Sequence, residues 1–242
     1  MGSTRLPGKI LMKLNGVSIL QSIIEQLHYS KTLDHIIIAT TNKKEDDQVE
    51  EFARLYNIHI FRGSESDVLD RYYQCAKHFT VQHIVRISGD APLIDPEIVD
   101  DVVNFYKENN FDYVNNFYKR TFPIGTEVEV FSFNTLEKSW KNATKPSERE
   151  HVTPYIYNNN DKFSLGNIEY KENLSELHWT VDRKEDLDFV KTIYKRIQKR
   201  PILLKDIISI IKEDPSILDI NKNSNPAEGY LKSLLEDKKS EK

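Results

Sequence analysis

The chain has 242 residues, 38% of them hydrophobic and 30% charged, with 34 basic against 38 acidic side chains and a formal net charge of -4. That length suits one large α/β domain or two small ones, and a slight acidic excess gives no reason to propose a nucleic-acid partner, which announces itself by a basic surplus. A lone cysteine, Cys75, rules out an internal disulfide, no run approaches the ~20 apolar residues of a membrane span, and no signal-peptide pattern opens the chain, so a soluble cytoplasmic protein with no membrane partner is expected.

The opening stretch, MGSTRLPGK, reads as a loop. Gly2 and Gly8 permit close backbone approach, Ser3 and Thr4 add hydroxyls, and Arg5 and Lys9 add two cations. Such a loop can cradle phosphate oxygens with backbone N–H groups and neutralise them with its cations. It is not a Walker A loop, because the glycine spacing is wrong and Ile10 follows Lys9. Ile19, Leu20, Ile23, Ile24 and Leu27 then recur at helical spacing. Residues 36–40, IIIAT, form a β-branched run suited to a strand buried on both faces. A helix over 45–56, a short strand over 58–61, a helix over 68–79, a strand over 83–88 and a helix opened by Pro96 and running to 107 follow. Cys75 falls inside the helix over 68–79, as a small buried apolar residue would.

This alternation predicts βαβ units and a mostly parallel sheet. Beyond residue 112 the rhythm changes. TEVEVF alternates polar and apolar as a half-exposed strand does, further strands are expected over 163–170 and 178–181, and amphipathic helices over 185–197 and 203–211. One domain over 1–220 is expected, followed by a charged, partly frayed extension over 221–242.

In open α/β sheets, ligands sit outside the carboxyl ends of the strands. This rule nominates the opening loop, residues 62–67, residues 89–95 and Asp182. Asp90, behind a glycine at the end of a buried strand, suits a carboxylate that binds Mg2+, and equally suits a turn or helix cap. Asp182 repeats the arrangement after Trp179 and Val181, again with helix capping as the alternative. In RGSESDVLDR, Arg62, Asp67 and Arg71 lie around a strand-to-helix turn that a capping Ser or Asp would also explain. In SEREHVTP, Arg149 and His151 belong to a dense run of ionisable groups, whose ordinary explanation is a solvated helix face.

Taken in order, GSTRLPGK, IIIATT, FRGSESDVLDRYYQ, RISGDAPLIDPE, TEVEVFSF, PSEREHVTPYI and HWTVDRKEDL resemble the cytidylyltransferase family, in particular its branch of spore coat polysaccharide biosynthesis protein SpsF, related to the CMP-Kdo and CMP-sialic acid synthetases. The resemblance covers residues 2–218. It implies a Rossmann-like nucleotide-diphospho-sugar transferase fold, three α/β/α layers around a mixed, mostly parallel sheet. It implies a homodimer that uses CTP and Mg2+ to convert an acidic sugar to a CMP-sugar, releasing pyrophosphate. By this likeness Gly2, Ser3, Thr4, Arg5 and Lys9 would hold the triphosphate, with Arg62, Asp67 and Arg71 lining the nucleotide cleft. Asp90 and Asp182 would bind the metal, and Glu127, Arg149 and His151 would approach the sugar. Arg5, Lys9 and Asp90 would carry the catalysis.

One departure from the family pattern concerns the start. In the family a hydrophobic strand ending in a pattern like I-I-Q-A-R comes immediately before M-G-S-T-R, and it would lie in the middle of the sheet. The expectation is that the sequence begins at an internal methionine. A glycosyltransferase or a sugar-1-phosphate nucleotidyltransferase of the same fold is the rival enzyme reading, and a non-catalytic nucleotide- or sugar-binding protein the rival of another class.

Overall fold

The computed structural model describes residues 2–3, 5–225 and 228–240. A short antiparallel hairpin, β1 (Lys13–Leu14) and β2 (Val17–Ser18), leads into α1 (Ile19–Leu27). Ser18 caps that helix by accepting from the backbone N–H of Gln21 at 3.1 Å, the usual service of a serine at this position. Then follow β3 (Ile37–Thr41), α2 (Asp47–Leu55), β4 (His59–Gly63), α3 (Val68–His78), β5 (His83–Arg86) and α4 (Pro96–Glu108). The second half holds β6 (Tyr113–Asn115), β7 (Glu129–Ser132), α5 (Phe133–Asn142), α6 (Pro146–His151), α7 (Pro154–Tyr157), β8 (Leu165–Asn167), α8 (Lys184–Arg196), α9 (Leu204–Glu213) and α10 (Glu228–Ser240).

β3 and β4 pair in parallel, and β5, β7, β6 and β8 form a second ladder in that order. β7 runs against both β5 and β6, while β6 and β8 are parallel, so β7 is the one reversed strand of that ladder. Alternation along the strands sends side chains to two cores. Val114 and Val130 face a cluster built with α1, α4, α8 and α9, whereas Tyr113 and Phe131 face a cluster built with α3, α5 and α7. The sheet is therefore sandwiched between helical layers, as expected for α/β architecture.

Several expectations shift. The strand expected over 163–170 shrinks to Leu165–Asn167. That over 178–181 is reduced to a single bridge between Ile124 and His178, although Trp179 and Val181 are fully buried. Its other backbone group of note, the Val181 N–H, donates to the Asp90 carbonyl at 2.9 Å and so ties two loops together. The tail expected to fray is helical through Ser240. α10 packs on α6, where Asp237 accepts from the Ser147 N–H at 2.8 Å and from its hydroxyl at 2.5 Å, and Ser233 donates to Glu150 at 2.5 Å. Those contacts fix a segment whose own sequence is too polar to fold alone.

The two ladders do not meet among the described residues. Between β3 and β5 runs a cavity of about 1120 Å³. Residues 34–40 line one wall and residues 80–89 the other, with α1 and α3 over the two open faces.

Candidate active site

The carboxyl ends of the strands converge on the opening loop. Gly8 adopts φ +69°, a left-handed turn that glycine enters without strain, and the chain then winds into a short 3-10 turn over Lys9–Leu11. This turn aims Lys9 inward. Its ammonium donates to Asp90 Oδ2 and to Asp182 Oδ1, both at 2.9 Å. Arg5 Nη2 donates to the same Asp182 oxygen at 2.6 Å. Two cations from one loop thus hold two carboxylates from two other loops.

Both aspartates are free of the capping duties that the sequence left open for them. α4 is capped by Asp95, which accepts from the Glu97 N–H at 2.7 Å and from the Leu204 N–H at 2.6 Å. α8 is capped by Asp186, which accepts from the backbone of Asp182 at 3.1 Å and of Arg183 at 2.8 Å. Asp90 is oriented by the Ser88 hydroxyl, which donates to Oδ1 at 2.6 Å. Burial opposes the charge on Lys9, yet Asp90 and Asp182 outweigh it and hold the ammonium above its ordinary value. Burial likewise opposes ionisation of Asp182, but Lys9 and Arg5 hold its carboxyl below the ordinary value. The four side chains form one mutually paired cluster of two basic and two acidic groups.

A second group gathers at the start of α3 and in α6. Asp67 caps α3 by accepting from the Asp70 N–H at 2.9 Å, and Arg149 grips the same carboxylate, with Nε 3.0 Å from each oxygen and Nη2 on Oδ2. Arg71 Nη1 donates to the Ser64 carbonyl at 2.6 Å. His151 meets the Ser233 hydroxyl at 2.9 Å and packs edge-on against Tyr230, and burial lowers its imidazole below the ordinary value. Gly2 lies beside Glu65, whose Oε1 would be 3.4 Å from a Cβ at that position. Ser3 accepts from the Leu6 N–H at 3.2 Å. Thr4 lies outside the described residues.

Two nominated residues are engaged elsewhere. Arg62 turns to α2, donating to Asp47 at 2.7 Å and Glu50 at 2.6 Å and to the carbonyls of Thr41 and Lys43. Glu127 closes its own turn, accepting from Arg120 at 2.6 Å and from the Gly125 N–H at 2.7 Å. The glutamate that reaches the interior is Glu129, two residues on and 1% exposed. It faces Arg86 across the β5–β7 register and pairs with it, while its Oε1 accepts from Tyr113 at 2.7 Å and Thr153 at 2.5 Å. The alternation in TEVEVF places both glutamates on one face and cannot choose between them. Arg86 in the facing strand is the signal that would have.

The family profile described as cytidylyltransferase matches residues 1–221. An uncharacterized protein of Methanocaldococcus jannaschii is 41% identical over 224 residues, covering 92% of this chain and 91% of its own. The spore coat polysaccharide biosynthesis protein SpsF of Bacillus subtilis is 32% identical over 223 residues, covering 89% and 92%. Among solved structures, a cytidylyltransferase from Leptospira borgpetersenii superposes with a TM-score of 0.87 at 35% identity, covering 93% of this chain and 94% of that one. A CMP:2-keto-3-deoxy-manno-octonic acid synthetase complexed with CTP gives a TM-score of 0.61 at 15% identity over 81% of this chain and 95% of that one, a likeness of fold.

Proposed function

The chain belongs to the cytidylyltransferase family, and from that premise we propose that it activates an acidic sugar of the nonulosonic or Kdo type as its CMP derivative. It uses CTP and Mg2+, releases pyrophosphate, and serves surface polysaccharide or glycan synthesis. The observation that carries this reading is the convergence of Arg5, Lys9, Asp90 and Asp182 in one paired cluster. The synthetase of the same fold that was solved with CTP supports the choice of nucleotide.

In the proposed reaction the anomeric hydroxyl oxygen bonds to the α-phosphorus as the bond to the β-phosphate oxygen breaks. Phosphoryl transfer of this kind rests on positioning and on neutralising the equatorial and departing oxygens. Arg5 and Lys9 do the latter: each is held in place by an aspartate and can turn its remaining N–H donors to phosphate oxygens. Across the cleft Arg149, locked on Asp67 by bidentate geometry, gives a rigid cationic wall suited to a sugar carboxylate, with His151 beside it.

Asp90 and Asp182 would hold the Mg2+. The donor set fits it, since both carboxylates reach one cation, Lys9 Nζ, at 2.9 Å, and Mg2+ prefers one or two carboxylates plus phosphate oxygens and water. Bound there, the ion supplies charge neutralisation on the phosphates. The same reading includes a homodimer, which sedimentation equilibrium tests directly.

The test is pyrophosphate release across CTP, UTP, GTP and ATP with a panel of nonulosonic acids and sugar 1-phosphates. Release with CTP and one keto-acid sugar, abolished by Asp90→Asn, is expected. Turnover only with a sugar 1-phosphate would move the chain to the rival enzyme reading, and no release with any nucleotide would remove both.

A further inference from the structure

α10 lies beyond the residues that the family profile matches, yet it touches both groups of candidate site residues. Gly229, Ser233 and Asp237 recur at intervals of four and so share one helix face. Gly229 lies over the Arg5 guanidinium, where a Cβ would stand 3.8 Å from Nη1 and 3.9 Å from Nη2. Ser233 meets His151 at 2.9 Å and donates to Glu150 at 2.5 Å. Asp237 accepts from the backbone and hydroxyl of Ser147. The first residue of the helix carries the charge. Glu228 Oε2 accepts from Arg183 Nη2 at 2.7 Å, and Arg5 Nη1 lies 3.9 Å from the same oxygen. Arg5 thus turns one nitrogen to Asp182 and the other toward Glu228. Two guanidiniums aimed at one oxygen make an anion seat, and the chain's own carboxylate fills it.

The two ends of α10 are held unequally. Ser233 and Asp237 are 2% and 8% exposed, and buried hydrogen bonds that involve a carboxylate are costly to break. The side chains of Arg183 and Glu228 are 46% and 47% exposed, and ion pairs so open to water contribute little and change partners readily. Opening of the helix therefore starts at Glu228 and ends within the first turn, with the Asp237 end still anchored. Guanidinium donors accept phosphate oxygens in the same geometry as carboxylate oxygens. A small monovalent anion would exchange for Glu228 like for like, whereas a phosphate chain brings more charge and more acceptors to the two arginines.

We propose that Arg5 and Arg183 form a seat for a polyphosphate chain, that Glu228 fills it in the free protein as a latch, and that an incoming phosphate oxygen displaces Glu228 and lifts the first turn of α10. Arg183 then joins Arg5 and Lys9 as a third phosphate-binding cation. The inference rests on the proposed reading of Arg5 as a phosphate cation. Its readout is the exchange of helix amides, which follows the opening free energy and needs no turnover.

Hydrogen exchange and isothermal titration on the full chain test it, with Mg2+ pyrophosphate and Mg2+ CTP as probes and CMP as the single-phosphate control. Both polyphosphate probes are expected to speed exchange about 5-fold at the amides of Lys232 and Ser233, whose helical acceptors are the carbonyls of Glu228 and Gly229. The amides of Lys238 and Lys239 should be unchanged, and CMP should leave both sets as they were. Glu228→Gln should show the faster exchange without ligand and bind Mg2+ pyrophosphate about 2–5-fold more tightly, the scale of one exposed ion pair given up. Three results each overturn the latch and leave the functional reading standing: unchanged or slower exchange at 232 and 233 with a polyphosphate probe bound, opening by CMP equal to that by CTP, or a Glu228→Gln variant that binds pyrophosphate no more tightly. A chain that binds neither polyphosphate probe overturns the functional reading, and the latch with it.

Discussion

Glu129→Gln leaves the Arg86 guanidinium without its buried carboxylate partner. In the native protein Oε2 pairs with Arg86, while Oε1 accepts from the Tyr113 and Thr153 hydroxyls. Glutamine keeps an oxygen for the two hydroxyls but turns an NH2 toward the guanidinium, donor against donor. Burial works against the charge on Arg86, and Glu129 is the chief group that holds its guanidinium above the ordinary value. Removing one partner of a buried pair costs about 3–5 kcal/mol. For a chain of this length that is roughly 6–20 °C in Tm, read by urea and thermal unfolding followed by circular dichroism. The double variant Arg86→Met/Glu129→Gln removes the stranded charge, keeps the acceptor for both hydroxyls and should recover at least about 2 kcal/mol. A single variant that loses less than about 1 kcal/mol, or a double no more stable than the single, would refute the reasoning.

Lys9→Met should lower kcat for pyrophosphate release by about 10²–10³-fold, the scale of one preorganised donor at developing charge; an unchanged kcat would remove Lys9 from the chemistry. Stability should fall in acid, because Asp182 and Asp186 have folded pKa values below their ordinary value of 3.8 and their contribution, present above it, is lost as pH drops through the lower folded values. Asp182→Asn should flatten that decline in a series of urea midpoints from pH 5 to pH 2, and an identical slope would discount the Asp182 pairing. Gly125→Ala should destabilise by about 3 kcal/mol, since φ there is +102° and a Cβ would lie 2.8 Å from Trp179 Cδ1 and 2.9 Å from the Thr180 nitrogen. A variant that melts with the parent would mean that this turn can open.

The periodic elements were legible because their cause is local. Ile19 to Leu27 at helical spacing and the β-branched run at 36–40 appear where they were expected. The strand-end rule nominated Asp90 and Asp182, and the structure brings both onto Lys9, because a loop's position relative to a sheet is written in the order of elements. α5 was missed although Ser132 caps it by accepting from the Thr135 N–H at 3.0 Å, a signal present in the sequence. What could not be read depends on partners far along the chain. α10 looks like a solvated tail until Asp237 finds Ser147, ninety residues earlier. Arg62 looks like a cleft cation until Asp47 and Glu50 claim it.

The pairing of Arg5 and Lys9 with Asp90 and Asp182 has a consequence for how the cleft meets its ligands. Two positive and two negative side chains sum to no formal charge, so the cluster casts little long-range field. On the proposed reading, anion capture is an exchange reaction: an incoming phosphate takes cations that already have partners, and the released carboxylates become available to a cation arriving with it. Ion pairs are traded rather than created. Affinity should therefore change less steeply with ionic strength than at an open basic patch, and a polyanion accompanied by its own divalent ion should be favoured over either alone.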